Sequence, residues 1–190
     1  MIDIKVGELL YYPLHGVGRI EEEVTLLLEN QQRNYYKLYF RELKMDVLVP
    51  QESAAQFGIR PLSTLAILEK SHFHFFTKFS KLPILVSERR QLLDAKLKSG
   101  EIFNLAEVIR DLVCAPKYEL KLTSHDKNSL QRASHLLINE LMYVAKLSSD
   151  EASNNLEKSI DLRLKGKKRD FNSLVREISL QNLKSSRVTN

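Results

Sequence analysis

The sequence predicts an α+β chain in two parts, a small β unit followed by a compact helical one. Three observations carry this. β-prone runs broken by turn residues fill the first part, the apolar period changes from two to that of a helix at Ser63, and the final stretch is basic. The boundaries that follow are 1–62 for the β unit, 63–164 for the helical unit and 165–190 for a basic tail.

Within the β unit, Leu9-Leu10-Tyr11-Tyr12 is a short strand stopped by Pro13. His15-Gly16-Val17-Gly18 is a tight turn, where glycine takes a positive φ that other residues resist. Val17 to Val24 predicts a second strand, and Asn30 to Asn34 is polar enough for a hairpin loop. Tyr35 to Phe40 and Met45 to Pro50 complete the set. Four or five short strands in so few residues predict a small, highly twisted barrel. In the last strand, alternation puts Val47 and Val49 on one face and Leu48 and Pro50 on the other. Pro50 lacks a ladder donor, which marks a strand edge or end.

In the helical unit, Leu65 to Phe79 predicts a first helix and Ile84 to Leu97 a second, stopped at Ser99-Gly100. Ile102, Leu105, Ala106, Ile109, Leu112 and Val113 follow helical spacing closely and define a third. Thr123-x-x-Asp126 has the form of a capping box and opens a long fourth helix with Leu130, Ala133, Leu137, Leu141 and Val144 along one stripe. A fifth spans Asp150 to Leu164. Phe171 to Leu183 retains only weak helical periodicity, which leaves the tail open between disorder and partial helix.

Charge is divided unevenly. Residues 163–190 hold eight Lys/Arg against Asp170 and Glu177, a net +6, so residues 1–162 stand at −1 within the total of +5. A basic tail serves as a nucleic-acid contact or as a solvated, solubilising end. No run approaches the roughly 18 uncharged apolar residues of a membrane span, and Met1 to Lys5 lacks the pattern of a signal peptide. One cysteine, Cys114, excludes an internal disulfide and fits a reducing cytoplasm.

No active site assembles from these residues. Gly16-Val17-Gly18 is too short for a dinucleotide fingerprint and lies between strands. His72 and His74 at i and i+2 point to different sides of a helix, and His125 and His135 have no third ligand. No catalytic residue, metal, cofactor or small-molecule substrate is expected.

Several motifs together resemble the CarD/CdnL family of bacterial RNA-polymerase-binding transcription regulators. The N-terminal ones are Val6-Gly7-Glu8, Tyr12-Pro13-x-His15-Gly16-Val17-Gly18, Val49-Pro50 and Gly58-Ile59-Arg60. The C-terminal ones are Leu97-x-Ser99-Gly100, Leu105-Ala106-Glu107-Val108-Ile109-Arg110-Asp111-Leu112 and Leu122-Thr123-x-x-Asp126-Lys127. The resemblance runs from the start to about residue 147. The first half alone is less specific, because transcription-repair coupling factors carry a similar module.

The resemblance implies a Tudor-like N-terminal barrel that binds the RNA polymerase β subunit. It also implies a helical domain that touches promoter DNA at the upstream edge of the transcription bubble and stabilises the open complex. Polymerase binding then falls on Leu48 and Pro50, with Lys37 on the adjoining strand. The family commonly wedges a Trp into the minor groove from the second helix; counting back from Ser99-Gly100, that position is Val86, and this chain has no Trp. Arg89, Arg90 and Lys127 are the implied cations around it, and Gln91 stands at a commonly basic position. Lys165, Lys167, Lys168 and Arg169 of the tail are further candidates for DNA. The expected setting is the cytoplasm, at the nucleoid. Two further readings remain: a nucleic-acid-binding protein that acts through its helical face and tail without polymerase, and an adaptor whose helical half recruits another protein.

Overall fold

The structure is a computed structural model and describes residues 5–28 and 30–167. Five strands come first: β1 (Leu9–Tyr12), β2 (Gly16–Leu28), β3 (Gln31–Phe40), β4 (Met45–Pro50) and β5 (Arg60–Pro61). Five helices follow: α1 (Leu65–Phe75), α2 (Val86–Lys98), α3 (Ile102–Cys114), α4 (Ser124–Ala145) and α5 (Ser149–Leu164).

The strands form one antiparallel sheet in the order β4-β3-β2-β1-β5. The expected barrel is not closed, because β4 and β5 make no ladder with each other among the described residues. β5 is only two residues long, and its Pro61 has no N–H to donate. The connecting segment covers the inner face instead: Ala54 and Ile59 pack with Leu10, Ile20, Leu38, Phe40 and Val49.

The β2–β3 hairpin is longer than the sequence predicts. Residues 31–34, expected as loop, pair with 25–28, and the turn includes Asn30 at φ +61°. This end of the hairpin stands largely in solvent, so the polarity of residues 31–34 reports exposure of the strand and not its absence.

β1 is buried on both faces and joins the two parts of the chain. Leu10 and Tyr12 enter the sheet core, whereas Tyr11 points the other way into the helical core. There it meets a cluster built around α3, whose Leu105, Ile109 and Leu112 are fully buried against Leu93, Leu97, Ala133 and Leu136. Each such side chain contributes about 1.5–3 kcal/mol by leaving water.

Polar contacts lock the two parts together. The Arg60 guanidinium donates to both oxygens of the buried Glu140 carboxylate at 2.7 and 2.8 Å, and Ser63 N–H donates to the same group at 2.8 Å. Arg60 also donates to Gly100 O at 2.7 Å and lies 4.2 Å over the Tyr11 ring. Val17 N–H donates to Asn139 Oδ1 at 2.6 Å. Gly16, at φ +86°, is needed for this approach, since a Cβ there would sit 2.5 Å from the same oxygen.

α1 ends at Phe75, a turn earlier than expected. The carbonyls of Phe75 and Thr77 are taken by the Arg163 guanidinium, and the Thr77 hydroxyl donates to His74 O. The chain then runs irregularly to α2, held where Ser80 N–H donates to Asp111 and Leu82 N–H donates to the Tyr118 hydroxyl oxygen. The Thr123/Asp126 capping box at the start of α4 is present in full.

Candidate functional site

Two surfaces concentrate the residues singled out from the sequence. The first is the outer face of β3 and β4. β4 is an edge strand, and its register places Leu48 beside Lys37 and Pro50 beside Tyr35. Val49 is 2% exposed while Leu48 is 44% exposed, so alternate side chains of one strand have opposite environments. Lys37 is held by Glu22 at 3.0 Å and Glu21 at 3.8 Å. The hydrogen bond and charge of Glu22, with Asp46 adding to them, hold its ammonium above the ordinary lysine range. This face is therefore an exposed leucine and a half-buried proline beside a neutralised cation.

The second surface is where the N-terminal ends of α2 and α4 meet. Ile84, Leu85 and Val86 are 86%, 58% and 49% exposed, three consecutive aliphatic side chains in water. No side chain caps α2, which leaves its first N–H groups open. Arg90 is exposed and bound only loosely to Asp94, at 3.8 Å; Lys127 is exposed in the first turn of α4.

Beneath this surface the two helices are pinned by one buried ion pair. Arg89 Nε donates to Asp126 Oδ1 and Oδ2 at 3.0 and 3.1 Å, while its Nη1 donates to Pro83 O and Ile84 O at 2.7 and 3.1 Å. Asp126 also accepts from Thr123 N–H and Oγ1–H at 2.8 and 2.9 Å. Burial pushes the Asp126 carboxyl upward, but the hydrogen bonds from Arg89 and Thr123 outweigh it and hold the group below the usual carboxylate range.

Comparison with known proteins adds an independent finding. Residues 4–63 match the family model described as the CarD-like/TRCF RID domain, and residues 77–157 match that of the CarD C-terminal domain. A protein of Bacillus subtilis (strain 168), named "Putative transcription factor YdeB", is 33% identical over 150 residues, which cover 77% of this chain and 95% of that protein. The chain belongs to the CarD family. It is accordingly a transcription regulator by family.

Set on this family frame, the expected site residues separate. Leu48, Pro50 and Lys37 gather on one sheet face, and Val86, Arg90 and Lys127 belong to the α2–α4 surface. Arg89 does not. It is 1% exposed, and its guanidinium is committed to Asp126 and two carbonyls, so a phosphate cannot reach it. The expectation that Arg89 contacts DNA is corrected: it positions α2 against α4. Lys165 pairs with Asp161 at 2.6 Å and Lys167 is exposed, whereas Lys168 and Arg169 lie outside the described residues.

Ile84 and Leu85 were not singled out in the sequence, where they open the second helix; in the structure they precede it and stand in solvent. The usable signal is that three successive residues cannot share one helix face. Glu140 and Asn139 were missed as well, since their partners lie far away in sequence. Among the described residues no three His, Cys, Asp or Glu side chains gather as a metal site. His74 lies 2.7 Å from Glu107 and His125 3.3 Å from Asp94. No helix among the described residues is long and apolar enough to cross a membrane.

Proposed function

We propose that this CarD family chain tethers itself to the RNA polymerase β subunit through the outer face of β3–β4 and contacts promoter DNA through the α2–α4 surface. It stabilises the open promoter complex by binding, without catalysis, and acts at the nucleoid. The observation that carries the reading is the division of β4, with Val49 buried and Leu48 exposed on an edge strand. A partner covering Leu48 and Pro50 recovers the transfer energy of the apolar area now in water. For the second surface, support comes from the aliphatic run Ile84–Val86 beside Arg90 and Lys127. Apolar side chains inserted at a base step and flanked by phosphate-binding cations are a general means of holding distorted DNA. Val86, at the position where relatives carry Trp, makes a smaller wedge here, to which Ile84 and Leu85 add area.

The test is Leu48→Asp. The side chain is exposed, so the variant should fold with unchanged thermal stability. Capture on a purified β-subunit fragment should fall by well over about tenfold, because a charge would be buried without a partner. Undiminished capture by the folded variant rules out this face. If duplex DNA binding persists in the variant while capture is lost, the two surfaces act separately.

A further inference from the structure

Away from both surfaces, three helices finish side by side. α1 ends at Phe75, α3 at Cys114 and α5 at Leu164, and a cavity of about 280 Å³ lies among the residues that follow their last turns. Lys78, Lys117, Arg163 and Lys167 line it, together with Phe76 and Phe79. No carboxylate among the described residues lines it.

Part of this charge serves the helices. Arg163 donates to Phe75 O and Thr77 O at 2.6 and 2.7 Å and to Cys114 Sγ at 3.3 Å, and Lys117 reaches Arg163 O at 3.5 Å. A helix C-terminus carries roughly −0.5 charge, so three of them offset about −1.5 of the four positive charges. Among the described residues no carboxylate lining the cavity answers the remainder. The other two buried arginines face carboxylates, Arg89 at Asp126 (3.0 Å) and Arg110 at Asp111 (2.7 Å). Arg163, 9% exposed, meets among the described residues carbonyls, a sulfur and the Phe75 ring at 5.4 Å, and no carboxylate. Lys78 and Lys167 form no ion pair among the described residues.

We propose that this cavity is an anion site that takes a phosphate group. The buried, carboxylate-free guanidinium sets a positive potential at its wall, and the lysines supply mobile donors that match phosphate oxygens. The volume exceeds what a bare phosphate fills and lies near the lower end of small-molecule sites, about 300 Å³. The phosphate is therefore carried on a larger body, either a free phosphorylated small molecule or a nucleic-acid backbone, with Phe76 and Phe79 beside the attached part.

Titration of the full chain with inorganic pyrophosphate, followed by calorimetry, tests the site. Lys78→Gln with Lys117→Gln should weaken binding by at least about tenfold. A control with Lys70→Gln and Lys158→Gln, equal in charge but away from the cavity, should bind as the parent does. Competition by a short duplex then assigns the source: displacement of pyrophosphate identifies a nucleic-acid backbone, and its persistence identifies a free phosphorylated molecule. Absence of saturable pyrophosphate binding, or equal affinity in all three proteins, overturns the proposal.

Discussion

The sheet face and the α2–α4 surface both expose aliphatic side chains, yet they treat charge in opposite ways. Beside Leu48 the cation Lys37 is neutralised by Glu22 and Glu21, and Asp46 adds to the acidic side. Around Ile84–Val86, Lys127 forms no ion pair among the described residues and the exposed Arg90 has only Asp94 at 3.8 Å, while the arginine with strong partners, Arg89, has been drawn inside. A surface whose charges are already closely paired gains from covering apolar area; one with loosely held cations gains from meeting a polyanion. On the proposed function, pairing, and not the count of basic residues, would separate the polymerase-docking face from the DNA-docking one. Arg89 and Arg90 show it at adjacent positions.

The sharpest way to break the comparison is to exchange their roles. Arg89→Ala leaves Asp126 buried without its cation and should cost about 3–5 kcal/mol of stability in urea unfolding. Arg90→Ala, at the surface, should change stability by no more than about 0.5 kcal/mol while weakening DNA association. A stable Arg89→Ala variant that has lost DNA binding would reverse the assignment.

Acid unfolding sharpens the same point. The Asp126 carboxyl is held below its ordinary value in the fold, so its contribution is present above the unfolded pKa, about 3.9, and is lost as pH falls through the lower folded value. The acid limb of the stability curve should therefore steepen below about pH 4, and Asp126→Asn should flatten it. An unchanged acid limb in a folded Asp126→Asn protein would mean the ion pair contributes nothing to folding.

Salt distinguishes the two surfaces at smaller cost to the molecule. Replacing Arg90 and Lys127 by Ala should reduce the log–log salt slope of duplex binding by about 2, near 0.9 per phosphate contact. Capture on the β subunit should respond little to salt, since its centre is apolar. Equal salt slopes for both partners would erase the distinction. The smallest effect expected is a several-fold gain in open-complex lifetime for Val86→Trp, because an aromatic wedge adds roughly 1–3 kcal/mol of stacking per base. No change in lifetime would remove Val86 from the bubble edge.

Strand and helix patterns were legible wherever a single periodicity decides the environment. Alternation in β4 separated Leu48 from Val49, helical spacing defined α3, and Thr123 with Asp126 announced the start of α4. The fate of Arg89 was also written in the sequence, at i, i+4 and i+8 with Leu93 and Leu97, all on the buried stripe. It was hidden because an arginine is read as surface unless its carboxylate is known, and Asp126 lies 37 residues away. The open sheet was not legible either. Closure depends on whether β5 reaches β4, and a two-residue strand containing proline gives no signal of its pairing.

The Arg60–Glu140 clamp has a mechanical meaning beyond stability. With Asn139 grasping the β1–β2 turn from the neighbouring position on α4, and Tyr11 seated among the helices, sheet and bundle share several anchor points in place of a swivelling tether. If Leu48 and Val86 are the contact points proposed above, they are the two jaws of a caliper whose opening is set by folding. A partner that grips one jaw carries the other to a fixed distance and bearing. On the proposed function, the molecule would measure the gap between two bodies as well as bind them.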